Sequence, residues 1–130
     1  MLVLNYHHRL TPGQLEQLAE MLEAVPEVRD IPVVIDEGSA LGEQAVALAD
    51  AAGLTPEEWE AAPLVVSAPG LAPAALALIA EIHGRRGEFP ALLRLRRIGA
   101  PTGGYEVAEV VGLQEIRNTA RGRRWPASSE

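Results

Sequence analysis

The sequence predicts a single α/β domain with an open, mostly parallel β-sheet and helices on both of its faces. Short apolar segments alternate along the chain with segments of helical periodicity, which is the pattern of strand–helix–strand units. Start and stop residues separate the helical segments from the strands. The length of 130 residues is that of one ordinary domain, and no internal repeat divides it.

Five segments are predicted strands because they are short and are either apolar or alternate between apolar and polar residues. They are Leu2–Asn5, Ile31–Ile35, Pro63–Ser67, Ala91–Ile98 and Tyr105–Val111. The first strand is apolar almost throughout, so we expect it in the interior of the sheet. A short Gly-rich turn at Ala100–Gly104 joins the last two strands, which are therefore predicted to pair antiparallel at one edge.

Helices are predicted where apolar residues recur at helical spacing between boundary signals. Thr11 and Thr55 each precede a proline, and a Gln or Glu follows three residues later, which is the pattern of a capping box. The predicted helices start after Thr11, at Leu41, after Thr55, at Ala72 and at Leu113. The first ends before Pro26, the second at Ala52, the fourth at His83 and the fifth at Arg121, and the short third helix carries Trp59. The domain is accordingly predicted to span 1–121, with a flexible C-terminal tail over 122–130.

Composition excludes several classes of protein. Hydrophobic residues make up 48% and charged residues 22%, as in globular proteins, and no apolar run approaches the roughly 20 residues that cross a bilayer. The chain has no cysteine and its start does not resemble a secretory signal, so we expect a cytoplasmic protein without disulfides or zinc–thiolate sites. His7 and His8 are adjacent and lack a third ligand cluster, so no metal site is expected. Neither Gly-x-Gly-x-x-Gly nor a Walker-type loop occurs, so no dinucleotide or nucleoside-triphosphate cofactor is expected.

Charge is distributed unevenly along the chain. Residues 1–84 hold two arginines and 13 carboxylates, whereas residues 85–130 hold nine arginines and five carboxylates. Every basic residue is Arg, which coding bias explains, but the guanidinium also suits phosphate because it donates two parallel hydrogen bonds. A protein of net charge −7 is not expected to coat DNA, although a local basic surface could hold a small anion.

Polar residues are concentrated where ligand crevices of open α/β sheets lie, beyond the carboxyl ends of the strands. Five candidate ligand-binding or catalytic residues directly follow the first strand and precede a helix N-terminus, which suits phosphate: Asn5, Tyr6, His7, His8 and Arg9. The alternative is a polar connecting loop with exposed histidines.

Two further segments are candidates for the same crevice. Ser67 and Gly70 lie in a small-residue turn after a buried strand, where backbone can approach a ligand, or the segment is simply a tight turn. His83, Gly84, Arg85 and Arg86 are predicted at a helix end and in a basic loop, where the arginines would contact an anion. Alternatively, His83 stabilises the helix C-terminus through the helix dipole.

Other charged pairs give weaker indications. Glu106 and Glu109 are three apart on a strand, so we expect them on opposite faces, which argues against an acid–base pair. Glu109 is expected to pair with an arginine or to be a plain surface residue. Arg117 and Arg121 share one face of the last helix, where a ligand, a partner subunit or solvent would meet them.

Three segments together resemble a known family. LVLNYHHRLT (Leu2–Thr11), HGRRGEFPALLRL (His83–Leu95) and YEVAEVVGLQEIRNTAR (Tyr105–Arg121) are similar to a small CRISPR-associated accessory family of the Csx type, found beside type III systems. The His-Gly-Arg-x-Gly-x-Phe-Pro run is the distinctive part. In the first loop the family has a small residue where this chain has His7, and the family histidine matches His8.

The resemblance implies a Rossmann-like, CARF-like fold and a cyclic oligoadenylate ligand, most commonly a ring of four adenylates. Such proteins lower the level of this antiviral messenger by sequestration or by metal-independent cleavage through the ribose 2′-hydroxyl. A cleaving enzyme would use His8 as a general base and Arg85 or Arg86 for charge stabilisation. A homodimer or higher symmetric oligomer would match the symmetry of the ring. The competing hypothesis is a protein-interaction module that presents its acidic N-terminal two-thirds to a basic partner.

Overall fold

The computed structural model describes residues 1–99 and 103–125. Within these residues the strands are β1 (Leu2–Asn5), β2 (Glu27–Asp30), β3 (Leu64–Ser67), β4 (Ala91–Arg97) and β5 (Tyr105–Gly112). The helices are α1 (Pro12–Leu22), α2 (Leu41–Asp50), α3 (Pro56–Ala61), α4 (Ala72–Arg86) and α5 (Leu113–Arg124). The predicted turn at Ala100–Gly104 lies largely outside the described residues, as do residues 126–130 of the predicted tail.

The sheet has the strand order β2-β1-β3-β4-β5. Neighbouring strands pair in parallel except β4 and β5, which are antiparallel. The predicted fold class is therefore confirmed, and so is the interior position of the first strand. The chain moves outward from β1 to β2 and then returns to β3 on the other side of β1, so the direction of winding reverses between β1 and β3.

Alternate residues of the inner strands face two separate cores, because successive side chains of a strand point to opposite faces. Leu4 packs with residues of α2, α3 and α4 on one face, whereas Val3 packs with Leu18 of α1 on the other. Both strand residues are fully buried. Burial of a Leu or Val side chain contributes about 1.5–3 kcal/mol, so this double-faced packing fixes β1 in the middle of the sheet.

Both predicted capping boxes are present. The Thr11 hydroxyl accepts from the Gln14 backbone N–H at 3.1 Å, and the Gln14 side chain accepts from the Thr11 N–H at 3.0 Å. Thr55 and Glu58 make the same reciprocal pair at 3.1 and 3.0 Å. These bonds satisfy N–H groups that a helix start otherwise leaves without partners.

The second strand was predicted at Ile31–Ile35, and this prediction is wrong. The strand is the more polar segment Glu27–Asp30, which forms an edge of the sheet. Ile31 donates one last backbone hydrogen bond to the Asn5 carbonyl at 2.9 Å, and the chain then continues as an irregular segment. The apolar pattern that predicted a strand reflects burial, because Ile31, Val33 and Ile35 pack on the core in an irregular segment.

Two helices run further than predicted. Gly84 was expected to end α4, but it stays helical, and Gly87 ends the helix with a left-handed φ of 82°. The expected basic loop at Arg85–Pro90 is therefore wrong, since both arginines lie in the last helical turn. Helix α5 continues through Arg124, so residues 122–124 are helical rather than part of a tail.

The expectation that Glu106 and Glu109 point to opposite faces is also wrong. The register places Arg94 opposite Glu109 and Leu95 opposite Val107, so β5 holds one extra residue between them. This β-bulge restores both glutamates to one face. There Glu109 pairs with Arg94 at 2.7 Å, as the arginine alternative predicted, and Glu106 pairs with Arg96 at 2.8 Å.

Candidate functional site

A cleft of about 830 Å³ lies beyond the carboxyl ends of β1 and β3, where the direction of winding reverses. This is the position at which open α/β sheets bind ligands, because the loops after the two strands diverge and leave a crevice. We call it the switch-point cleft. Its described lining comes from three places: the β1–α1 loop with the first turn of α1, the β3–α4 loop, and the β4–β5 hairpin.

Two loops supply the polar part of the cleft. The β1–α1 loop contributes His7, His8 and Arg9, and the α1 start adds Thr11 and Gln14. The β3–α4 loop contributes the segment from Ser67 to Gly70. The first two predicted segments therefore do meet, as the sequence suggested.

The β4–β5 hairpin forms an apolar wall because β4 is longer than β3. Leu92 lies opposite Val66, near the end of β3, and β4 then continues to Arg97. The overhang brings further residues to the cleft: Leu92, Leu93, Arg94, Leu95, Ile98, Gly103, Gly104 and Tyr105. Gln14 ties α1 to this hairpin by donating from Nε2 to the Tyr105 carbonyl at 2.9 Å.

The described lining holds two arginines and two histidines but no carboxylate, in a protein with a net charge of −7. Arg9 lies 3.6 Å from Asp30, and Arg94 lies 2.7 Å from Glu109, and both carboxylates lie outside the lining. Surface ion pairs of this kind are weak, so each guanidinium can exchange its partner for an anion in the cleft. The arrangement favours a negatively charged ligand with an apolar portion.

The two histidines of the β1–α1 loop contact each other. Their ring centroids are 4.7 Å apart with the planes nearly perpendicular. Burial, and then the neighbouring His8, lower the pKa of His7 below its usual value of 6.5. Within the described residues neither imidazole has a hydrogen-bond partner that would fix its tautomer.

Gly70 lies close to His7. A Cβ added at this glycine would lie 3.4 Å from His7 Nε2, which is a tight contact. The glycine thus lets the β3–α4 loop lie directly beside the exposed His7 imidazole.

Asn5 was predicted to contact the ligand, but the structure gives it a different position. Its side chain is 1% exposed and is used entirely within the protein. Nδ2 donates to the His8 carbonyl at 3.0 Å and to Asp30 Oδ1 at 2.8 Å, and Oδ1 accepts from the His7 N–H at 3.1 Å. Asn5 therefore shapes the loop that presents the two histidines and does not line the cleft.

Tyr6 also lies outside the cleft. Strand alternation turns its side chain into the core on the α2 side, where the hydroxyl donates to the Leu48 carbonyl at 3.0 Å. Burial raises the pKa of this phenol, an effect that Arg85 partly opposes. The predicted ligand role of Tyr6 is thus corrected to a core role.

The third predicted segment lies at the opposite end of the sheet. Helix α4 runs antiparallel to its strands, so its C-terminal residues reach the amino end of β4, away from the cleft. Arg85 pairs with Asp50 at 3.0 Å and with Glu81 at 2.8 Å. Arg86 is 6% exposed and donates to the Trp59 and Ala62 carbonyls at 2.9 and 2.8 Å, which holds α3 against α4.

The other two residues of that segment accompany the arginines. His83 packs against Phe89 with ring centroids 4.3 Å apart and the ring planes tilted by 49°, and Gly84 lies inside the helix. The expectation that the three segments converge on one crevice is therefore wrong for His83, Gly84, Arg85 and Arg86.

Sequence reasoning missed the residues of the hairpin wall. No site role was predicted for Arg94, Ile98 or Tyr105, which lie in or beside the two predicted C-terminal strands. They reach the cleft because β4 overhangs β3, which depends on pairing register rather than on local sequence. The length of this strand could have indicated the overhang, because β4 has 7 residues and the strands before it have 4 each.

No described helix is both long and apolar enough to cross a membrane. In the same part of the chain, no group of three or more histidine, aspartate or glutamate side chains is placed to hold a metal ion. Comparisons with protein-family models, curated proteins and solved structures give no match for this chain. The resemblance to a type III CRISPR-associated family therefore stays a prediction.

Proposed function

We propose that the protein binds a nucleotide-type anion in the switch-point cleft and that this ligand is cyclic oligoadenylate. The observation that carries the proposal is the described lining of the cleft, which combines Arg9, Arg94, His7 and His8 with no carboxylate. The family resemblance supplies the identity of the ligand, and the cleft supplies a position and a charge that suit it.

The chemistry of the cleft matches the two parts of a nucleotide. Phosphates would lie over the histidine loop and beside the start of α4, a helix end without a side-chain cap. Adenine rings would lie against the apolar wall near Leu95, Ile98 and Tyr105. The volume of about 830 Å³ suits part of a tetra-adenylate ring, so a symmetric dimer would offer two clefts to one ring.

Sequestration is the primary form of the proposal, and cleavage is its second form. A general base needs a fixed tautomer and orientation, and no described group hydrogen-bonds to either imidazole in the cleft. His7, with its lowered pKa, is neutral at pH 7, and His8 lines the same cleft and matches the family histidine. His8 is therefore the residue that separates an enzyme from a binder. Either activity acts on an intracellular messenger and places the protein in the cytoplasm.

One assay tests both forms. Purified protein is incubated with labelled cyclic tetra-adenylate in excess chelator, and bound ligand, free ligand and linear product are separated. Sequestration predicts stable bound ring and no linear product. Cleavage predicts a 2′,3′-cyclic phosphate product that falls about 10²–10⁴-fold in His8→Ala while binding is retained. Absence of binding at physiological salt would contradict the proposal.

A further inference from the structure

Helix α5 stands apart from the rest of the molecule. Only Leu113 and Gln114, in its first turn, are partly buried, and every residue from Glu115 to Trp125 is exposed. An isolated helix shorter than about 12–15 residues is marginal in water, and this one includes the poor helix former Gly122. A helix of this composition with no buried face needs a partner surface to be stable.

The exposed surface of α5 combines apolar and basic groups on one side. At helical spacing, Leu113, Ile116 and Ala120 form an apolar stripe. Ile116 is 58% exposed. Arginines flank this stripe on both sides: Arg117, Arg121 and Arg124 on one side and Arg123 on the other.

These arginines are also without carboxylate partners. Of the seven other arginines of the described chain, Arg97 has no ion pair and six lie within 4 Å of a carboxylate: Arg9, Arg29, Arg85, Arg86, Arg94 and Arg96. Arg117 instead contacts only Asn118, and Arg124 lies over the Trp125 ring. Among residues 1–99 and 103–125, the four arginines of α5 have no ion pair. These guanidinium groups are therefore available to an external anionic surface.

A matching surface exists on the same protein. We call it the acidic edge, which comprises the end of α1 and the start of β2: Glu20, Met21, Glu23, Val25 and Glu27. All five residues are exposed, and Val25 is 89% exposed. Beside it lies an apolar hollow of about 390 Å³ lined by Leu10, Leu15, Val25, Pro26 and Val28, with Arg9 and Asp30 at its rim.

The acidic edge and α5 are separated within one molecule. The edge belongs to β2 at one end of the sheet, and α5 follows β5 at the other end. Glu27 pairs with Arg29 at 2.7 Å, whereas Glu20 and Glu23 have no ion pair within the described chain. Each copy thus has a basic, apolar helix and a separate acidic, apolar acceptor.

We propose that α5 of one copy docks on the acidic edge of a second copy, with Ile116 in the apolar hollow and the arginines against Glu20 and Glu23. Two copies that exchange this contact reciprocally form a closed two-fold dimer, and copies that pass it onward form a longer assembly. The contact pairs apolar with apolar and basic with acidic, and it covers the exposed face of α5.

A second copy fits α5 better than a nucleic acid does. Phosphates would pair with the arginines but would leave Ile116 and its apolar stripe exposed. The acidic remainder of the chain, with 13 carboxylates and two arginines in residues 1–84, would also repel a polyanion. The acidic edge offers both the charge and the apolar contact.

The test is a charge exchange measured by sedimentation equilibrium at low salt. Arg117→Glu/Arg121→Glu reverses the charge of the helix, and Glu20→Arg/Glu23→Arg reverses the charge of the acidic edge. Wild type should self-associate and should dissociate as salt is raised. Each double variant alone should weaken association at least about tenfold, because like charges then face each other.

Mixing the two double variants is the decisive step. The reversed helix then meets the reversed edge and the native helix meets the native edge, so a 1:1 mixture should associate again. The matched control is Glu57→Arg/Glu60→Arg on α3, which makes the same change in net charge away from the edge. Because this control keeps the native helix and the native edge, it should associate as wild type does, which separates loss of the contact from the change in net charge.

Three results would overturn the proposal. The first is wild type that stays monomeric at low salt. The second is association that both reversed variants retain. The third is wild type that binds single-stranded RNA or anionic vesicles through α5 while remaining monomeric, which would make that polyanion the occupant of the helix.

Discussion

Replacing Asn5 with alanine tests the claim that this residue builds the cleft loop rather than touching the ligand. The substitution removes three hydrogen bonds: to the His8 carbonyl, from the His7 N–H and to Asp30. A neutral hydrogen bond contributes about 0.5–1.5 kcal/mol, and one to a charged group contributes about 1.5–3 kcal/mol. The Asp30 side chain is 42% exposed, so water compensates for part of the hydrogen bond that it loses.

The expected loss for Asn5→Ala is about 2–4 kcal/mol, against a typical total stability of about 5–15 kcal/mol. Urea unfolding followed by circular dichroism measures this loss, and the melting temperature should fall by roughly 10 °C. Asn118→Ala is the matched control, because it makes the same chemical change at an exposed residue of α5 and should cost no more than about 0.5 kcal/mol. Equal losses in the two variants would refute the reasoning.

Three other predictions concern charge in and away from the cleft. Glu109→Gln frees Arg94 from its 2.7 Å ion pair and should tighten anion binding several-fold in a titration. Glu106→Gln is the control, because its partner arginine lies outside the cleft, and it should leave anion binding unchanged. Equal effects of the two substitutions would contradict this assignment. Because the pKa of His7 is lowered, the imidazole gains its charge only as pH falls below 6.5. Anion affinity should therefore rise below this pH in wild type and rise less in His7→Ala. Parallel pH profiles of the two proteins would count against a role of His7 in anion binding. Arg86→Ala leaves two carbonyls without donors and should lower the free energy of unfolding by about 3 kcal/mol with little change in ligand affinity. A large loss of affinity in the folded variant would show that Arg86 belongs to the binding site.

Local signals predicted most of the fold. Both Thr-Pro helix starts were read from adjacent residues, and both form the expected capping boxes because capping involves groups only three residues apart. The antiparallel pairing of β4 with β5 followed from a short connection. The apolar segment Leu2–Leu4 correctly predicted an interior strand, since burial on both faces requires such a run.

The errors arose where tertiary contacts decide between equivalent local patterns. The segment Ile31–Ile35 has the composition of a strand, but it forms an irregular connection in which Ile31, Val33 and Ile35 pack on the core. Both Gly84 and Gly87 are plausible helix ends, and only Gly87 adopts the left-handed conformation.

The candidate site was predicted only in part for the same reason. The position of the histidine loop follows from strand order, so His7, His8 and Arg9 were identified correctly as cleft residues. Adjacent arginines look alike whether they bind an anion or clamp two helices, and Arg86 proves to be buried against main-chain carbonyls. The contribution of Arg94 depends on the overhang of β4, which the pairing register with β3 sets and which the sequence indicates only through the greater length of the β4 segment.

The central claim is that the switch-point cleft binds cyclic oligoadenylate, and calorimetric titration with cyclic tetra-adenylate tests it most directly. Arg9→Ala/Arg94→Ala removes both cleft guanidinium groups, whereas Arg85→Ala removes one at the far end of the sheet. We expect wild type and Arg85→Ala to bind alike and the cleft variant to bind roughly ten- to a hundredfold more weakly at physiological salt. Wild type that does not bind, or an Arg85→Ala variant that loses as much affinity as the cleft variant, would contradict the account.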